Sequence, residues 1–399
     1  MTLLLNERLD RFESPFRRLD ALLADLQPAP SLAPIPMHVG EPQDAPPPLL
    51  AQAVAAHAGE WNRYPPSLGT PAFLAAVAGW IDRRYPAARG RLRTDRELSS
   101  VASTREALYL AASIAIGSQR RDPVALMPNP FYQTYRVGAI MAGAEPRYLA
   151  QGGWPHFQPD LDALAPDLLA RTGILYLCSP SNPEGVVLPP ARILQAVAMA
   201  REHGFLVVFD ECYAELYDRD PPVGALEVLA RADASAAWLD NVLVLHSLSK
   251  RSNAAGMRSG FVAGDARAVA ALNRIRQNGT ACTPAPVLAG AAALWADDTH
   301  VARMRERLRA RFDLADRHLG GYAGYQRPAC GFFLWLKVAD GAALARRLWA
   351  ERALKLLPGE YLTQPADDGS NAGRGFVRVA LVHDLPVVDE GLARLASLL

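Results

Sequence analysis

The residues that could do chemistry in this sequence sit where apolar runs end. Lys250 follows Val242-Leu243-Val244-Leu245, stands among the hydroxyls of Ser247 and Ser249, and is trailed by Arg258 between Gly256 and Gly260. A lysine after a strand can be a solvated surface charge. Partly desolvated beside other cations, it has a lowered pKa and can form a Schiff base with an aldehyde. An arginine bracketed by glycines suits bidentate binding of a phosphate. Asp210 closes the run Phe205-Leu206-Val207-Val208-Phe209, where a carboxylate is costly without a partner. It can cap the turn that follows, or face the protonated ring nitrogen of an electron-sink cofactor. Tyr213, three residues on, and Asn182, in Ser179-Pro180-Ser181-Asn182-Pro183, carry groups able to hydrogen-bond a phenolic oxygen on such a ring.

The elements that must position these groups alternate in type. Short apolar or β-branched runs at 124–127, 173–178, 205–210, 242–247 and 260–263 are separated by helix-like stretches, notably 106–116, 190–203 and 266–277. This alternation predicts an α/β fold, a mostly parallel sheet between helices. Ligands of such sheets bind outside the carboxyl ends of the strands, which is where Asn182, Asp210 and Lys250 fall. From about residue 287 the pattern is helix-heavy, with a long charged helix at 299–318. A second strand-bearing unit follows at 332–337, 355–357 and 376–380, the last run containing Arg378. The reading divides the chain into an N-terminal arm over 1–45, partly joining the small domain, a large domain over 46–285, and a small α+β domain over 286–399. The proline-rich stretch 27–48 is expected to run extended across a surface.

Composition narrows the classes. The chain has 399 residues, 50% apolar and 21% charged, with 42 Lys+Arg against 41 Asp+Glu. Disorder is excluded, and so is the broad basic footprint of a nucleic-acid binder. Single basic residues must then act as point contacts to small anions. Cys178, Cys212, Cys282 and Cys330 form no C-x-x-C pair and are expected to be reduced, mostly buried thiols, with no metal site spelled out. The start of the chain lacks a signal-peptide pattern, and the longest uncharged apolar stretches fall short of a membrane span. The expectation is a cytoplasmic protein without membrane or nucleic-acid partners. Zincin, P-loop and dinucleotide motifs are absent. Ser247-x-x-Lys250 spells the S-x-x-K of serine acyl-enzymes, but their S-D-N and K-T-G elements are missing.

The set Ser179-Pro-Ser-Asn-Pro-Glu-Gly185, Asp210-x-x-Tyr213, Ser247-Leu-Ser-Lys250 with Arg258, and Gly375-Phe-Val-Arg378 resembles the class I/II pyridoxal-phosphate aminotransferases of fold type I. The likeness keeps the family's order and spacing over nearly the whole chain. It implies a sheet of seven strands in the large domain and pyridoxal 5′-phosphate as cofactor. By this resemblance Lys250 would hold the cofactor aldehyde and then move the proton, and Asp210 would keep the pyridine nitrogen protonated. Asn182 and Tyr213 would bond its O3′. Ser247 and Arg258 would grip the phosphate, and Arg378 the substrate α-carboxylate. Ala102 to Leu108 matches the turn that opens a phosphate-binding helix, using Ser103, Thr104 and Arg105, with Ser103 in place of the family's glycine. Tyr132 matches the aromatic that stacks on the cofactor ring; a core tyrosine on an amphipathic helix is the other reading. Tyr64 matches the tyrosine that reaches the phosphate from the neighbouring subunit, which implies a homodimer. Gly40 matches a glycine near the substrate. Glu184, where threonine or another small residue is more usual, is expected to be a local loop effect. Cys212 and His246 are expected to face away by period-two alternation.

Within the family, Ser249 to Asn253, Gly256 to Phe261, Pro128 to Tyr135, Pro358 to Leu362 with Asn371, and the arm from Leu9 to Phe16 resemble the N-succinyl-L,L-diaminopimelate aminotransferases of lysine and cell-wall biosynthesis. Glutamate, returning from 2-oxoglutarate, is the usual donor. Substrates with additional carboxylates call for a cation beyond Arg378, for which Arg251, Arg17 and Arg18 are candidates; surface or phosphate-side roles are the alternative. An aspartate, alanine or aromatic aminotransferase, or a carbon–sulfur lyase, would use the same ring-holding groups.

Overall fold

The computed structural model describes residues 5–366 and 368–399. Its strands, in chain order, are β1 (Ile35–Pro36), β2 (Leu98–Val101), β3 (Val124–Met127), β4 (Glu145–Tyr148), β5 (Thr172–Cys178), β6 (Leu206–Asp210), β7 (Val242–Ser247), β8 (Gly260–Gly264), β9 (Phe333–Lys337), β10 (Leu354–Lys355), β11 (Leu357–Pro358) and β12 (Phe376–Ala380). Seven of them form one sheet in the order β2-β8-β7-β6-β5-β3-β4. Its pairs are parallel except those of β8, which runs antiparallel to both neighbours. Strands β3, β6, β7 and β8 are buried at every residue, the pattern of a sheet covered on both faces.

Alternation along these strands sends side chains to two separate cores. Val207, Phe209, Val242 and Val244 pack with Phe73, Ile193, Leu226 and Leu288 from the helices Pro71–Arg84, Pro190–His203, Ala225–Ala232 and Ala285–Ala296. Leu206, Val208, Leu243 and Leu245 pack with Leu108, Tyr135 and Leu272 from Thr104–Ala115, Gln133–Met141 and Ala266–Gly279. Strands β2 and β4 are absent from the sequence reading. The first carries two serines, and the second is an edge strand of alternating exposed and half-buried residues, so neither shows an apolar run.

The boundary expected at residue 286 falls inside the helix Ala285–Ala296, whose Leu288, Ala291, Leu294 and Trp295 pack in the large-sheet core. Beyond it, the helix Thr299–Leu319 packs with β9, β12 and the helix Leu385–Ala396 around Phe312, Leu336, Val379 and Leu392. The sheet there is antiparallel, in the order β11-β12-β9. The proline-rich stretch contributes β1, which pairs parallel with β10. The helix Pro15–Leu23 lays Leu19 and Leu23 on Trp335, Leu357 and Tyr361, and Asp20 bonds Lys355 at 2.6 Å. Among the described residues no helix is long and apolar enough to cross a membrane.

Candidate active site

Strands β5, β6 and β7 are adjacent and parallel, so Asn182, Asp210 and Lys250 come to one rim of the sheet. The turn after β7 is a four-residue helix, Leu248–Arg251, opened by Ser247, whose Oγ accepts the Ser249 N–H at 3.1 Å. Lys250 Nζ donates to the Gly40 carbonyl at 2.7 Å and lies 5.4 Å from the Phe332 ring. Burial holds its pKa down to about 8, and the positive charges of Arg378 and Arg105 act in the same direction. The chain has three lysines. Lys355 is paired with Asp20 and Lys337 is exposed beside the Trp154 ring, whereas Lys250 is half-buried and bonded to a neutral carbonyl. Gly40 is required by its neighbours, because a Cβ there would collide with the Phe333 ring.

Asp210 is buried. Its Oδ2 accepts the Tyr135 hydroxyl at 2.7 Å and its Oδ1 the Cys212 N–H at 3.2 Å. Burial, with Asp210 beside it, pushes the Tyr135 phenol well above its ordinary range, so it stays a donor. Asn182 links the two halves of the site: its Nδ2 donates to the Tyr213 oxygen at 3.1 Å, and its Oδ1 accepts Arg378 Nη1 at 3.3 Å. Arg378 comes from β12 of the smaller sheet. It also donates to the His38 carbonyl at 2.9 Å, lies 4.3 Å from the Phe333 ring, and has a buried Nε without a hydrogen-bond partner among the described residues. Burial lowers its pKa to about 10, which leaves it charged at neutral pH. Both of its acceptors are neutral, so this buried charge is unbalanced and calls for an anion.

Ser103 has φ 101° and ψ 148°, a backbone region kept largely by glycine that costs a serine about 1–3 kcal/mol. Ser103 thus holds a conformation that glycine would adopt without strain. Ser103 Oγ accepts the Glu106 N–H at 3.4 Å and its carbonyl the Ala107 N–H at 3.4 Å. The first N–H groups of the helix, at Thr104 and Arg105, have no acceptor within it. Arg105 Nε donates to the Tyr132 hydroxyl at 2.7 Å, so Tyr132 stands at the start of its helix, half-buried and facing this turn.

Several expectations change. Cys212 does not face away: β6 ends at Asp210, the chain turns, and Cys212 Sγ donates to Thr104 Oγ1 at 3.2 Å. His246 does pack on the far side, 3.1 Å from Glu211 and against Trp80. Arg251 is no substrate cation. It is buried, donates to the Leu294 and Asp297 carbonyls at 2.7 and 3.2 Å, and pairs with Asp298 at 2.5 Å. Arg18 lies 4.1 Å from the Tyr361 ring, and Arg17 is exposed. Arg258 has a left-handed backbone (φ 55°) and folds back on the Ala255 carbonyl. Tyr64 is fully exposed. Glu184 is buried, and that burial raises its pKa to about 7. All four cysteines are free thiols, but only Cys330 is buried, the others half-buried. Sequence reasoning gave no role to Tyr135, His38, Phe332 or Phe333. The Gly331-Phe-Phe333 doublet was the available signal for the last two.

Residues 34–395 match the family model for aminotransferase class I and II. The chain belongs to that family. It is a pyridoxal-phosphate-dependent transaminase of fold type I, acting between amino acids and 2-oxo acids. It is 33% identical to a 4-dedimethylamino-4-oxo-anhydrotetracycline transaminase of Streptomyces rimosus, over 90% of this chain and 91% of that one. It is 29% identical to an LL-diaminopimelate aminotransferase of Desulforudis audaxviator, over 96% and 95%. Among solved structures, a probable N-succinyldiaminopimelate aminotransferase of Thermus thermophilus superposes with a TM-score of 0.80 at 25% identity, covering 97% of this chain and 100% of that one. The residues of this aminotransferase fit the cofactor. They offer an amine with a depressed pKa for its aldehyde, a buried carboxyl group for its ring nitrogen, and an open helix start for its phosphate.

Proposed function

We propose that this transaminase takes N-succinyl-L,L-2,6-diaminopimelate as its amino acid and 2-oxoglutarate as its oxo acid, in a two-stage exchange with glutamate as the returning donor. We further infer a homodimer in which Tyr64 of each copy reaches the cofactor phosphate of the other. The observation that carries the assignment of roles is the joining of Lys250 and Arg378 through one short segment. Gly40 accepts from the lysine and His38 from the arginine, so the amine and the carboxylate clamp address the same small molecule.

Bound pyridoxal 5′-phosphate supplies an electron sink that makes the substrate Cα proton removable. Lys250 Nζ would hold the aldehyde, and the amine would be the base that takes and returns that proton. A pKa of about 8 leaves roughly a quarter of the amine neutral at pH 7.5, against about one in a thousand for an ordinary lysine. Asp210, fixed by Tyr135 and the Cys212 N–H, holds a proton on the ring nitrogen. Asn182 and Tyr213 hold the ring oxygen. Arg378 takes the α-carboxylate, and because Asn182 touches it, substrate binding and ring position are coupled. Ser103, Thr104, Arg105, Ser247 and Arg258 would hold the phosphate, and Tyr132 would stack on the ring.

The choice of substrate is supported by the relatives whose names carry diaminopimelate and by the motifs shared with that group. The Streptomyces relative, at 33%, is named for a quite different oxo compound, which favours another class I/II aminotransferase as the second reading. A screen of purified enzyme with glutamate separates them. The expected result is a kcat/KM for the succinylated aminoketopimelate at least tenfold above oxaloacetate, pyruvate and aromatic oxo acids. Preference for any of these three overturns the substrate. Release of ammonia and pyruvate in place of amino transfer identifies a lyase.

A further inference from the structure

Consecutive residues at the end of the helix Ala266–Gly279 grip two separate parts of the chain. Arg276 is fully buried. Its Nη1 donates to the carbonyls of Ser67 and Ser100 at 2.8 and 2.6 Å, and also meets Asn273 Oδ1 and Ser99 Oγ at 3.2 and 3.3 Å. Its Nε faces Glu106 Oε2 at 3.8 Å, beyond hydrogen-bond reach, and neither Nε nor Nη2 has a hydrogen-bond partner among the described residues. Glu106 in turn holds the phosphate-side turn: Oε2 accepts the Ala102 N–H at 3.0 Å, and Oε1 accepts the Thr280 hydroxyl at 2.7 Å.

The other part is the loop that carries Tyr64. Gln277 Nε2 donates to Ser67 Oγ at 2.7 Å, beside the Arg276 contact to the same residue's carbonyl. The loop is drawn onto β2 by the Ser100 N–H to the Leu68 carbonyl at 2.8 Å. Gly69, with φ 110°, permits that approach, since a Cβ there would press on Ser100 Cβ at 3.1 Å. A guanidinium buried with its one nearby carboxylate at 3.8 Å, too far to hydrogen-bond, is costly. An apolar side chain of similar length would fill the space but leave the Ser67 and Ser100 carbonyls without this donor, so the guanidinium ties the Tyr64 loop to β2.

We propose that Arg276 is a positioning residue for the cofactor phosphate in both sites of the dimer. It acts through Glu106 on the Ser103–Arg105 turn of its own chain, and through Ser67 on the Tyr64 that enters the partner's site. The second half rests on the homodimer reading of Tyr64.

Hybrid dimers test this. One chain carries Lys250→Ala, so lysine-bound cofactor absorbance reports the other chain's site alone, and further changes can be placed in the reporting chain or its partner. The dissociation constant for pyridoxal phosphate is read by titrating the cofactor-free hybrid. Thr280→Val and Gln277→Ala alter exposed side chains and leave the buried charge in place. Thr280→Val is expected to weaken binding about threefold to tenfold in the reporting chain and not in the partner. Gln277→Ala should do the reverse. Arg276→Met should weaken binding about tenfold or more from either chain, with partial rescue by Arg276→Lys. Should Arg276→Met fail to fold, Arg276→Lys decides in its place, with weaker binding from either chain expected and unchanged binding from both overturning the role of Arg276. Unchanged binding for these variants in both placements overturns the proposal. For Gln277→Ala and Arg276→Met, weakening confined to the reporting chain overturns the Tyr64 half. Chains that sediment as monomers refute the homodimer reading instead, and the Thr280→Val titration then decides the remaining half.

Discussion

Lys250 and Arg251 are consecutive cations on one helical turn, both drawn out of water, and their partners differ in kind. The amine of Lys250 meets a single carbonyl and opens toward Arg378. The guanidinium of Arg251 meets two carbonyls and the Asp298 carboxylate, 5.0 Å from the Trp295 ring. Burial lowers the pKa of both, but only the lysine has a neutral form within reach of neutral pH. Arg378 stands on the Lys250 side of this divide, because its acceptors are neutral. At this turn the cation whose partners leave its charge unbalanced is the one open to chemistry, and the one paired with a carboxylate is structural.

The largest test of that contrast is Lys250→Ala, which should cost about 10⁴-fold or more in turnover and abolish the absorbance of lysine-bound cofactor. Asp210→Ala should keep the cofactor and lose about 10³-fold in kcat; wild-type turnover in single-turnover assays would remove it from the ring. Arg378→Met should raise KM for amino and oxo acids about 10²-fold, the worth of a charge-assisted pair. The rate at which cofactor-free enzyme captures pyridoxal phosphate should follow the neutral amine, rising about tenfold per pH unit below 8 and levelling above it. A rise that continues past pH 9 in stopped-flow traces would mean an ordinary lysine. Arg251→Met should leave KM for the succinylated substrate unchanged and lower stability by about 2 kcal/mol in denaturant titrations.

Much of the site was legible because its residues sit just past strands whose apolar runs are plain. The order Asn182, Asp210, Lys250 follows directly from adjacent parallel strands. Directions were legible only where a regular period continued. Alternation was carried one step too far at Cys212, since β6 stops at Asp210. In a helix successive residues point about 100° apart, so adjacency to Lys250 did not bring Arg251 to the same side of the turn. Tyr135 lies on a helix far from Asp210 in sequence, and its 2.7 Å bond leaves no local trace. The helix Ala285–Ala296 is apolar on most sides, and only packing shows that it belongs with the large sheet.

Borohydride reduction of the cofactor-loaded enzyme, followed by proteolysis and mass spectrometry, puts the Lys250 assignment to the sharpest trial, since the chain offers only Lys250, Lys337 and Lys355. The phosphopyridoxyl mass should appear on the peptide that contains Lys250. Its appearance on Lys337 or Lys355, or on no peptide at all, would contradict the role given to that amine.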